Sequence, residues 1–81
     1  MTTMQTKMAE ALSNRIKPLL AGQPPELQGA VLADLVSLFF AGHHPAMRAE
    51  QIEIWIDAMR DLIPHSEAEL FRHGKPPGWE T

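Results

Sequence analysis

Two adjacent histidines, His43 and His44, stand between two strongly apolar segments in the stretch FFAGHHPAM, residues 39 to 47. Imidazole is a common metal ligand, so this pair is the first candidate for chemistry. Ligands on one helix face need a spacing of three or four residues, and neighbours in a turn chelate only with help from elsewhere. Glu50, His65 and His73 are the side chains that could supply that help, and no spacing in the sequence brings them together. The bland reading is architectural: imidazoles just past the end of a helix interact favourably with its negative pole. The helix-junction reading is preferred, with His43 and His44 kept as secondary metal candidates and no cofactor expected.

A second feature is acidic. Glu50, Glu53, Asp57 and Asp61 fall within about 80° of one another on a helical wheel. Like charges four residues apart repel by a few tenths of a kcal/mol per pair. Only Arg60 is near enough in sequence to offset them. Such a stripe can receive a basic partner surface or a divalent cation, or serve simply as a solvated face. A calcium loop is not indicated, because the alternating oxygen ligands and central glycine are absent. Trp79, in PPGW, is a third candidate. Tryptophan is favoured as an interface anchor, and the Pro-Pro-Gly lead-in would hold it extended toward a partner or a neighbouring subunit.

Catalytic chemistry finds little footing. Ser13, Ser37 and Ser66 lack a local nucleophile context, and no glycine-rich phosphate loop is present. Asp34 is the only carboxylate inside an apolar run, where a small enzyme or an enzyme subunit would keep a buried acid. The formal charge of -3 and the scattered basic residues argue against nucleic acid, whose phosphates need clustered cations. A short turn before a third helix would suit a DNA-reading helix-turn-helix, but that helix would present Glu and Asp to the phosphates.

The elements that must position these residues are helical. Met4, Met8, Leu12 and Ile16 recur every four residues, and Leu19 and Leu20 extend the same face, so a first helix is expected from about Thr3 to Leu20. Pro18 should kink its last turn or end it early. AGQPPE is the break, with Gly22 as a C-terminal cap and Pro25 opening a second helix to about Ala41. That helix is apolar most of the way round. Leu27, Val31, Leu35 and Leu38 make one stripe, and Leu32, Val36, Phe39 and Phe40 widen it. A third helix is expected from Pro45 to about Ile63, with Ile52, Trp55, Ile56, Met59, Leu62 and Ile63 within an arc of about 120°. Met47, Ile54 and Ala58 form a minor stripe beside the acidic one. Pro64 should stop this helix. Ser66 and Glu69 then form a capping box for a short fourth helix closed by Gly74.

The expected fold is therefore all-α: a small bundle of three main helices and a short C-terminal one, with residues 1–74 as a single domain and 75–81 as a tail. Eighty-one residues bury only about 60% of their unfolded surface, and small scaffolds without disulfides lean on a metal or a partner subunit. The second helix has more apolar circumference than so short a chain can cover. The expectation is a cytoplasmic homodimer acting as a non-catalytic interaction or regulatory module, with no nucleic-acid and no membrane partner. Its expected contact residues are Val36, Phe39, Phe40, Glu50, Glu53, Asp57, Asp61 and Trp79. The rivals are a metal- or ligand-binding protein using His43 and His44, or a small enzyme subunit. No continuous hydrophobic N-terminal core suggests a signal peptide, and the longest apolar stretch, Ala30 to Ala41, falls short of a membrane span.

Overall fold

A computed structural model describes residues 1–79. It is all-α, with three helices and no strand among the described residues: α1, Thr3–Leu20; α2, Pro25–Ala41; and α3, Pro45–Leu70. The chain forms two compact units, Met1–Leu38 and Phe39–Thr81, which divide near the C-terminal end of α2.

In the first unit α1 begins with a reciprocal cap. The Gln5 N–H donates to Thr2 Oγ1 at 3.1 Å, and the Thr2 N–H donates to Gln5 Oε1 at 3.0 Å. Two of the four amides that a helix start leaves orphaned are thereby satisfied. Pro18 does not end α1, which continues to Leu20. The chain then reverses through a tight turn. Ala21 is extended at φ -58° and ψ 134°, Gly22 takes φ 81°, and the Gln23 N–H donates to Leu20 O at 3.1 Å. These are the dihedrals of a type II turn, whose third residue needs positive φ and hence glycine. Pro25 then opens α2 where its missing N–H costs nothing.

In the second unit α3 runs unbroken through Pro64 to Leu70, so the separate fourth helix expected from Ser66 and Glu69 does not form. Pro64 removes one rung of the ladder, and the helix-tolerant run that follows carries the ladder on. The Phe71 N–H donates to Glu67 O at 3.0 Å beyond the end of the helix. Ser66 therefore sits inside a helix, where no amide is left for it to cap. The tail turns back through positive-φ Gly74 and Gly78. Lys75 reaches Glu67 at 3.1 Å, and Trp79 meets Phe71 edge-on with ring centroids 5.3 Å apart.

Candidate interaction surface

The α2–α3 joint lies wholly within the second unit and is the most thoroughly satisfied part of the molecule. A helix C-terminus leaves four carbonyls without partners. Arg48, on the first turn of α3, takes two of them and a loop carbonyl: its Nε donates to Phe40 O at 3.2 Å and His43 O at 3.1 Å, and its Nη2 donates to Ala41 O at 3.1 Å. The planar guanidinium is suited to this, because its donors form a rigid fork. Phe40 is the one buried apolar side chain among the described residues. Its ring meets Trp55 edge-on at 6.0 Å, with Phe39 at 5.1 Å and His43 at 5.8 Å. Ile56 and Gln51 of α3 are also partly covered.

The two histidines divide the labour at this joint. His43 Nδ1 lies 2.9 Å from Phe39 O, an acceptor only, so Nδ1 carries the proton and donates. His44 is the N-cap of α3, and its Nδ1 accepts the Ala46 N–H at 3.1 Å. The tautomers are therefore opposite: His43 keeps a free lone pair on Nε2, while neutral His44 keeps its proton there. A metal bound through both Nε2 atoms would require His44 to abandon its cap. Among the described residues no three His, Asp or Glu side chains are grouped to hold a metal ion.

The apolar faces are otherwise open. In the first unit α1 contains no buried residue; Met4 is 69% exposed, Met8 63% and Leu12 56%. On α2, Leu27, Val31, Leu35 and Leu38 are all exposed. The three residues expected at a partner surface separate along this helix. Val36 is half-buried, Phe39 is 54% exposed, and Phe40 is turned inward onto Trp55. In the second unit α3 contains no buried residue either, and Trp55, Met59, Leu62 and Ile63 border a surface groove of about 290 Å³. Full burial of a large aliphatic side chain contributes about 1.5–3 kcal/mol. The open face of α1 alone thus withholds on the order of 5 kcal/mol, as much as a core this small supplies in total.

Glu50, Glu53, Asp57 and Asp61 are all exposed on α3, and none has an ion-pair partner among the described residues. Exposed Asp34 uses its backbone instead, where its carbonyl accepts the Ser37 hydroxyl at 2.8 Å. Trp79 docks on Phe71 in its own unit while staying 52% exposed, and with Ile63, Leu70, Glu67 and Ser66 it rims a groove of about 430 Å³. Arg48 escaped the sequence reading, since its acceptors lie five to eight residues back around a turn. The Thr2–Gln5 cap escaped it too, although the Thr-x-x-Gln spacing was there to be read.

Among the described residues no helix is long and apolar enough to cross a membrane. No protein-family model, no curated protein and no solved structure matches this chain.

Proposed function

We propose that this chain is a non-catalytic helical interaction module that works in the cytoplasm as a homodimer, with the exposed stripe of α2 as its seam. The observation that carries the reading is that Leu27, Val31, Leu35 and Leu38 stay open along a helix that is apolar most of the way round. A contiguous apolar face of this kind marks an association surface. The seam also suits an identical copy. Of the two charged residues of α2, Glu26 lies well off the stripe and Asp34 borders it beside Leu27, so copies that meet on the Val31 and Leu35 side keep their carboxylates apart. The absence of cysteine fits a reducing compartment.

Sedimentation equilibrium at micromolar concentration tests the proposal. The expected mass is twice the 9.0 kDa of one chain. Leu35→Asp, on the seam and clear of the α2–α3 joint, should return it to one chain mass while α3 keeps its helical signal. A folded wild-type monomer over the same range overturns the reading.

A further inference from the structure

α1 and α3 carry opposite charge, and each leaves an apolar face open. α1 has Lys7, Arg15 and Lys17 against Glu10. α3 has Arg48 and Arg60 against Glu50, Glu53, Asp57, Asp61, Glu67 and Glu69. At 100° per residue Arg15 falls within the Met4, Met8, Leu12 face of α1, and Lys7 borders it. Two apolar strips are available on α3. The broad arc through Trp55 and Met59 carries Arg48 within it and Arg60, Glu67 and Glu69 at its edges, so its charges cancel and it offers a cationic face no net attraction. The narrower strip of Met47, Ile54 and Ala58 is bordered by Glu50, Asp57 and Asp61, and both Met47 and Ile54 are exposed. Spacing agrees as well as sign: Lys7 and Arg15 lie about 12 Å apart along their helix, and Glu50 and Asp57 about 10 Å apart along theirs. None of Lys7, Arg15, Glu50, Asp57 and Asp61 has an ion-pair partner among the described residues.

We infer that α1 seats on the Met47–Ile54–Ala58 strip of a second copy, and that the exchange is reciprocal. This rests on the homodimer proposed above. One α1 offers one apolar face, whereas α2 and α3 together present the α2 stripe and both α3 strips. A single chain therefore cannot close all of them. Two copies that pair along α2 and exchange α1 form a closed two-fold assembly, in which Lys7 and Arg15 meet α3 carboxylates.

A mixing experiment decides it. One variant carries Lys7→Glu and Arg15→Glu; the other carries Glu50→Lys and Asp57→Lys. Each alone places like charges at both exchanged contacts, so each should associate about tenfold or more weakly than wild type by analytical ultracentrifugation. An equimolar mixture should restore wild-type affinity, because both contacts in the heterodimer again pair opposite charges. A variant that unfolds alone should regain helical circular dichroism on mixing. If mixing restores nothing, while all four substitutions placed in one chain do, α1 seats within its own chain and the inference fails. It fails also if neither variant changes the dissociation constant. The Leu35→Asp result stands apart in both cases, because the α2 seam contains none of these charges.

Discussion

The α2–α3 joint and α1 are built on opposite terms. At the joint almost every local demand is met within the chain: three carbonyls by Arg48, the Ala46 amide of α3 by His44, and one aromatic ring covered by its neighbours. α1 is well formed as a helix, with a complete cap at one end and a tight turn at the other, yet none of its apolar side chains is buried and only Leu20 is partly covered. An isolated helix of this length is marginal in water, because helical stability in proteins comes mostly from packing an apolar face. One region therefore meets its local demands within the chain, and the other leaves its packing face open. The interaction module proposed above would use both, a fixed element that holds a geometry and an open element that gains its stability on association.

The sharpest way to break this contrast is to remove the centre of the joint. Phe40→Ala should cost about 3 kcal/mol, at the lower end for a phenylalanine truncation because the ring retains slight exposure. Urea denaturation followed by tryptophan fluorescence in a Trp79→Phe background, where Trp55 is the one emitter, reads it, at fixed protein concentration because the proposed dimer makes stability depend on it. An effect no larger than that of Phe39→Ala would show that the joint is not the fixed element. Next comes Arg48→Ala, at about 1–2 kcal/mol, since the three carbonyls it leaves regain water in part. Arg48→Lys should recover little of this, because an ammonium is one point of charge and cannot serve three acceptors through a planar fork.

Most helix boundaries were legible because they are local. Pro25 and Pro45 each open a helix where the missing amide is harmless, and Gly22 supplies the positive φ that a type II turn requires. The end of α3 was misread for the same reason: Pro64 and Ser66 are local stop and start signals, and a run able to propagate helix overrode both. Arg48 was illegible because its meaning depends on a turn that brings α3 back to the end of α2. Gly42, just past the end of α2, does not adopt positive φ, and Arg48 takes the open carbonyls there instead. The pairing of the histidines with a junction was visible in the sequence; their opposite tautomers were not, because these depend on which backbone group each ring meets.

Smaller substitutions sharpen the comparison at the turn before α2. Gly22 holds φ 81° with open space around its Cα, so Gly22→Ala tests backbone strain alone, without a steric clash. The expected cost is about 1 kcal/mol. It should appear as faster amide hydrogen exchange in residues 18–28, with the joint around Phe40 unchanged. Equal acceleration at both places would mean that the two regions open together and that the contrast between them is false.

The smallest effect compares two caps of equal chemistry in unequal surroundings. Thr2 and His44 each accept one amide at the start of a helix, both at 3.1 Å. Removing such a cap costs about 0.5–2 kcal/mol of helix stability. Thr2→Ala should lower the helical circular dichroism of α1 measurably on dilution, where association no longer supports that helix. His44→Ala should leave the helical signal of α3 nearly intact, because Arg48 and Phe40 still fasten its first turns from outside. His44→Asn should match wild type, since a side-chain carbonyl can accept the same amide. If His44→Ala melted more helix than Thr2→Ala, the joint would depend on its cap, and α1 would be the more independent of the two elements.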